Sequence, residues 1–177
     1  MAKALDSSGI PYLLAGSFSS NYYGIPRSTQ DADFVIQIGD KMLSTLMSHL
    51  GPDFHLERQL LFEGVTGTTR SIVTIAGTPF KIELFRLSDD PHDQERFRRR
   101  VQQQLKQCVV YLPTAEDVLV TKLRWILRAG RNKDRDDVRD VIAVRSVRID
   151  WNYVHRWCDE HGTRPLLDEI RASIPPI

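Results

Sequence analysis

The chain has 177 residues, 41% of them hydrophobic, and a formal net charge of +1. That suits one well-packed domain with a modest extension, and so balanced a charge points neither toward nucleic acid nor away from it. The two cysteines, Cys108 and Cys158, stand far apart without metal-ligand spacing, which excludes a disulfide framework and a zinc site and fits a reducing cytoplasm. No apolar run is long enough for a membrane span and no signal-peptide core opens the chain, so the expectation is a soluble intracellular protein.

Met1 to Ser8 reads as the end of a helix closed by Gly9, short enough to suggest a chain that starts late. Tyr12 to Ala15 is a buried strand running into Gly16-Ser17 and a short polar-aromatic helix, Phe18 to Tyr23, with a turn at Gly24. A strand that ends in Gly-Ser at a helix start leaves backbone N–H groups free for a phosphate, although small residues are common at such turns. After Pro26-Arg27-Ser28-Thr29 comes a second strand, Asp31 to Ile38. Side chains alternate along a strand, so Asp31 and Asp33 share one face while Ala32 turns to the core. Two carboxylates held together repel unless a cation or a catalytic role accounts for them.

Asp40 to Leu50 has helical spacing of Met42, Leu43, Leu46, Met47 and Leu50, with Asp40 as N-cap and Gly51 as the stop. Phe54 to Val65 alternates loosely, and Ser71 to Ala76 pairs with Phe80 to Leu87 as a hairpin across Gly77-Thr78-Pro79. In that last strand Phe80, Ile82 and Leu84 share one face and Lys81 and Glu83 the other. Asp93 to Lys106 reads as a polar helix bearing Arg96, Arg98, Arg99, Arg100 and Lys106; a solvated face is the plain account and a phosphate-backbone contact the sharper one. Cys108 to Leu112 is a short strand. Thr114 caps a helix from Ala115 to Ala129 that stops at Gly130. Arg131 to Asp137 opens the next helix, where Asp134 and Asp137 suit the positive end, a capping effect worth about 0.5–1 kcal/mol each. Two closing helices come last, Trp151 to His161 and Arg164 to Ala172, the first with an apolar stripe of Trp151, Val154, Trp157 and Cys158. His155 and His161 read as ordinary residues, and Pro175-Pro176 ends the ordered chain.

The order strand, Gly16-Ser17, helix, Arg27-Ser28-Thr29, then Asp31-x-Asp33 resembles the signature of the nucleotidyltransferase superfamily with the DNA polymerase beta-like fold. A second stretch, Glu116-Asp117, Lys122-Leu123, then Arg131, Lys133, Asp134 and Asp137, resembles the bacterial AbiEii-type toxin branch and the related minimal nucleotidyltransferases. Together they cover most of residues 10 to 145. The resemblance implies an α/β (α+β) fold: a mixed twisted sheet with helices packed on it, residues 1–112 as nucleotidyltransferase core, and a C-terminal helical region, 113–177, forming one compact unit with it. It implies transfer of a nucleoside monophosphate from an NTP such as ATP to a hydroxyl acceptor. Asp31, Asp33 and Glu83 would hold Mg²⁺ or Mn²⁺, with Glu83 also helping to deprotonate the acceptor. Gly16 and Ser17, with Ser28 beside Arg27, would meet the nucleotide; Arg27, Lys122 and Lys133 would neutralise its phosphates, positioned by Asp134 and Asp137.

The acceptor implied is an RNA such as tRNA, met through Arg96–Lys106 and Lys122–Arg131, or a protein. A toxin of a toxin–antitoxin or phage-defence system, with a cognate antitoxin, fits the branch. An antibiotic-type adenylyltransferase shares every residue named, and a catalytically silent module would have lost acids that are here. A metal-dependent nuclease is disfavoured because its Glu-x-Lys order is replaced by Lys81-Ile82-Glu83.

Overall fold

The computed structural model describes residues 1–39, 42–105, 108–131 and 133–175, with the backbone alone at residue 42. The central sheet runs in the order β1 (Tyr12–Leu14), β2 (Asp31–Ile36), β6 (Lys81–Arg86), β5 (Thr68–Ile75) and β3 (Phe54–Leu56), with β4 (Leu61–Glu63) also on β5. β2 and β6 are parallel and the other pairs antiparallel, so the sheet is mixed, as the resemblance implies. The loosely alternating stretch from Phe54 to Val65 holds two short strands, β3 and β4. Strand alternation sorts the side chains. Tyr12, Leu14, Phe34, Ile36, Ile82 and Leu84 fill one face under α1 (Ala2–Ser7) and α3 (Met42–Ser48). Asp31, Asp33 and Glu83 stand on the other. The expected cap of α3, Asp40, lies outside the described residues.

The basic helix from Asp93 to Lys106 is corrected. α4 (Pro91–Arg98) ends at an Arg99 cap, and Val101–Leu105 is a strand, β7, paired antiparallel with β8 (Cys108–Leu112). The run Val-Gln-Gln-Gln-Leu supports both periods, and cross-strand packing decides it: Val101, Gln103 and Leu105 are half-buried, Gln102 and Gln104 exposed. Tyr22 Oη ties α2 to this strand by donating to Gln103 Oε1 at 2.6 Å. The arginines are not a free cationic face either. Arg96 is buried against Asp93 and Thr121, and the Arg100 guanidinium lies over the rings of Phe97 and Tyr111. Arg98 is exposed; Lys106 lies outside the described residues.

The C-terminal helices are α5 (Ala115–Ala129), α6 (Lys133–Arg145), α7 (Trp151–His161) and α8 (Arg164–Ala172). Thr114 caps α5, and Gly130 ends it at φ 62°, a left-handed conformation that favours glycine. Their apolar stripes form a second core around Leu119, Leu123, Val141, Val154 and Trp157. α2 (Gly16–Tyr23) joins the two cores. Its Tyr23 enters the helical core and donates to the Pro113 carbonyl at 2.8 Å, and Gly24 packs so closely on α6 that an added Cβ would lie 3.0 Å from the Val141 amide nitrogen. No helix among the described residues is long and apolar enough to cross a membrane.

α5 is tied to α7 through Asp117, which has no exposed surface and accepts from Tyr153 Oη at 2.6 Å and Thr114 Oγ1 at 2.8 Å. Burial pushes its carboxyl up, but the neighbouring His92, 3.4 Å away, and the hydrogen bonds from Tyr153 and Thr114 outweigh it and hold the group below the usual carboxylate range. Asp117 therefore contributes stability above the unfolded-state pKa that is lost as pH falls through the lower folded value. Asp117→Ala should cost about 3 kcal/mol in urea denaturation at pH 7, with the difference from wild type shrinking in acid.

Candidate active site

The acids meet through sheet register. Asp33 of β2 and Glu83 of β6 are direct partners on adjacent parallel strands, and Asp31 lies two residues before Asp33 on the same face. Thr29 Oγ1 donates to Asp31 Oδ1 at 2.6 Å and orients it. Asp33 is pushed up to about 6, first by burial, then by the charges of Asp31 and Glu83, against the opposing pull of Arg131 and Lys122. Glu83 is not turned wholly to the aspartates: its Oε2 accepts from Arg70 Nη1 at 2.5 Å.

Gly16 begins α2 directly beneath these acids. Its φ is 58°, and a Cβ there would fall 1.7 Å from Asp33 Oδ2, so the absence of a side chain is what admits the carboxylate. The first-turn amides of α2 therefore open beside the acid face.

Behind α2 lies a buried ion network. Lys122 Nζ, on α5, donates to Asp134 Oδ1 at 2.8 Å and Asp137 Oδ2 at 2.6 Å, both on α6. Asp137 also takes Arg27 through Nε at 2.7 Å and Nη2 at 2.9 Å, and Ser20 Oγ at 3.1 Å. Arg27 Nη2 reaches on to Ser17 Oγ at 3.1 Å. Burial raises the Asp137 carboxyl, but hydrogen bonds from Arg27 and the charge of Lys122 outweigh it and hold the group below its usual range. Arg131 completes the set, its Nε 3.4 Å from Asp134 and its guanidinium 5.0 Å from the Trp125 ring centre. Gly16, Asp33, Lys122, Trp125, Arg131 and Asp134 line one cleft between the sheet and α5.

The structure thus brings Gly16, Ser17, Arg27, Asp31, Asp33, Glu83, Lys122, Asp134 and Asp137 to one region. Ser28 and Lys133 stand apart from the network; both are exposed, and the cations on Asp134 and Asp137 are Lys122, Arg27 and Arg131. Sequence reasoning missed Arg70, Thr29 and Trp125 as site residues. Arg70 was legible from the hairpin register, since Thr74 opposite Lys81 places Ile72 opposite Glu83 and Arg70 two residues along the same face. Trp125 lies three residues after Lys122, on the same side of α5.

A second acidic group was also missed. Among the described residues, Asp90, His92 and Asp93 are the trio whose ligand atoms lie within 4.8 Å of one another. Their charge is already matched: Asp90 takes Arg124 at 3.0 and 2.8 Å, and Asp93 takes Arg96 at 2.9 Å and Ser88 Oγ at 2.6 Å. With arginines in place on both carboxylates, this trio is a structural knot at the start of α4.

Comparison with known proteins gives the family. Residues 3–142 match the family described as "Nucleotidyl transferase AbiEii toxin, Type IV TA system". The protein is a nucleotidyltransferase. Within that class, the chain belongs to the AbiEii toxin family. No curated protein matches it in sequence. Among solved structures it is similar to an antigenic nucleotidyltransferase-like protein from Paracoccidioides brasiliensis, with TM-score 0.57, 20% identity, and coverage of 99% of this chain and 90% of that one. It is also similar to the antibiotic-resistance factor ANT(2'')-Ia in solution, with TM-score 0.60, 13% identity and coverage of 96% and 91%. The crystal structure of ANT(2'')-Ia in complex with adenylyl-2''-tobramycin gives TM-score 0.58, 10% identity and coverage of 92% and 93%. At these identities the likeness carries the fold.

Because the folded state makes Asp33 harder to ionise, its charge is a cost above about pH 6 that disappears as pH falls toward the ordinary carboxylate value. Asp33→Asn should therefore stabilise the metal-free protein by about 1–2 kcal/mol at pH 8 and by little at pH 4, as read from urea melts at the two pH values. Lys122→Met leaves Asp134 and Asp137 buried with less compensation. It should lower stability in the same melts by about 3 kcal/mol, with Lys122→Arg in between.

Proposed function

We propose that the chain moves a nucleoside monophosphate from an NTP to a hydroxyl of RNA, using Asp31, Asp33 and Glu83 as its metal-binding and catalytic acids. The register pairing of Asp33 with Glu83, beside Asp31 and over the helix start at Gly16, carries this reading. The donor set suits a hard divalent ion: three carboxylates on one face, with Asp33 raised by burial and by its acidic neighbours, so that a cation relieves the crowding. Asp31, Asp33 and Glu83 would hold Mg²⁺ or Mn²⁺, which when bound would neutralise triphosphate charge and polarise the α-phosphate.

The first-turn amides of α2, with Ser17, would take phosphate oxygens. Lys122 and Arg131 would face the charge of the departing pyrophosphate, while Asp134 and Asp137 hold the cations in place. Arg27, bound to both Ser17 and Asp137, would act chiefly as the brace that orients Ser17. The acceptor oxygen attacks the α-phosphorus, its proton passing to Glu83, as the bond to the β-phosphate oxygen breaks and pyrophosphate leaves.

The rim of the site bears on the acceptor. A hollow next to the acids is lined by Phe62, Arg70, Trp125 and Arg128, and Phe62 is 73% exposed. Aromatic rings beside arginines suit unpaired bases and a phosphate backbone. On this reading Arg70, Arg128 and Arg131 would meet the RNA in place of Arg96–Lys106, whose Arg96 and Arg100 are engaged within the fold. ANT(2'')-Ia, with its adenylyl-2''-tobramycin complex, favours a small-molecule acceptor as the second reading; the arginines of this rim disfavour a polycation of that kind. Membership in a type IV toxin family supports a role opposed by an antitoxin.

The test supplies each α-labelled NTP with Mg²⁺ to total RNA, to a protein extract and to an aminoglycoside panel. The expected result is label in RNA, reduced at least about 100-fold by Asp31→Asn and by Glu83→Gln. Label in protein or in the aminoglycosides would reassign the acceptor, and transfer that survives Asp31→Asn would remove the acids from the chemistry.

A further inference from the structure

We propose that Arg70 is a latch on the third acid, occupying the Glu83 carboxylate until a divalent ion displaces it, and so setting how tightly the site takes metal. The inference rests on reading Asp31, Asp33 and Glu83 as the metal ligands. Three observations carry it. Arg70 Nη1 lies 2.5 Å from Glu83 Oε2, a charge-assisted bond to an oxygen that a metal would need. Arg70 and Glu83 come from neighbouring strands of one sheet, so the pair is built into the β5–β6 register and is not a chance meeting of two loops. Finally, Arg70 is incompletely satisfied where it stands: its Nε is buried without a hydrogen-bond partner. The side chain also borders the open hollow with Phe62, Trp125 and Arg128, which gives the guanidinium a solvated place to go.

The electrostatics give the latch its sense. Without metal, Arg70 supplies the positive charge that an acidic face requires and keeps Glu83 from adding its full repulsion to Asp33. With metal, one cation replaces another on Glu83. The pair is 31% and 18% exposed at its two side chains, so it is partly screened and a divalent ion held by three carboxylates can outcompete it. Arg70 is therefore a positioning residue. Removing it should favour metal binding, whereas removing an arginine that merely props Glu83 in a ligating pose would weaken it.

The experiment is an equilibrium titration of the full chain with Mn²⁺, without nucleotide, following free Mn²⁺ by electron paramagnetic resonance. Wild type, Arg70→Gln, Arg70→Lys and Asp31→Asn are compared. Arg70→Gln should bind Mn²⁺ about three- to fivefold more tightly than wild type, the order expected for removing one partly exposed ion pair. Arg70→Lys, which keeps the charge but loses the planar fork, should fall between and also serves if Arg70→Gln does not fold. Mn²⁺ binding that is unchanged or weakened in both Arg70 variants overturns the latch and leaves the metal site standing, provided Asp31→Asn weakens binding. Binding indifferent to Asp31→Asn overturns the metal site and the latch with it.

Discussion

The carboxylate of Asp137 is the point on which the arrangement depends. It is buried, and it receives Lys122 from α5, Ser20 from α2 and Arg27 from the segment leading to the acid strand. α5 and two neighbouring parts of the distant N-terminal region are thereby fixed against α6. A buried ion cluster is a weak source of net stability, because desolvation offsets much of the attraction, but it is intolerant of displacement. That intolerance is useful here. The helix start at Gly16 must sit against Asp33, and the network behind α2 holds it there while apolar packing of Tyr23 and Leu119 supplies the free energy.

The front of the same helix bears the opposite kind of interaction. Asp31, Asp33 and Glu83 crowd negative charge on one sheet face, and Asp33 bears the cost most plainly. Arg70 and Arg131 moderate it without cancelling it. The helical region thus presents a compensated network on one side of Gly16, and the sheet an undercompensated one on the other.

The parts that sequence made legible are those set by short-range rules. Strand alternation put Asp31 and Asp33 together, the Gly77-Thr78-Pro79 turn set the face of Glu83, and Thr114 with Gly130 bounded α5 at both ends. The resemblance supplied the link between distant segments, Lys122 with Asp134 and Asp137, which no local pattern contains. The misreading came from ambiguity of period: Arg96 to Lys106 has enough arginine and glutamine to pass for a helix, and the pairing of Val101 with Leu112 overrides it. A loop-borne contact such as Thr29 on Asp31 needed the fold first, whereas Arg70 on Glu83 followed from the hairpin register once that was known.

The fate of the arginines explains why charge clustering in the sequence was a poor guide to exposed positive surface. Clustering in sequence is a statement about one helix face only if the helix is solvated, and here α4 is not: Arg96 is buried against Asp93, Arg99 lies 3.9 Å from the Tyr153 ring centre, and Arg100 covers Phe97. These cations fasten α4 to α5, to α7 and to the β7–β8 hairpin, an inward use of arginine that its planar, weakly hydrated head permits. Of the cations that line the cleft and the neighbouring hollow, Arg70, Arg128 and Arg131 are scattered over β5, the end of α5 and the turn after it, while Arg96 and Lys122 are held by buried aspartates. A set of cations drawn from separate elements has no linear signature, so the residues proposed here to meet the acceptor could be grouped only after the sheet and helices had been placed.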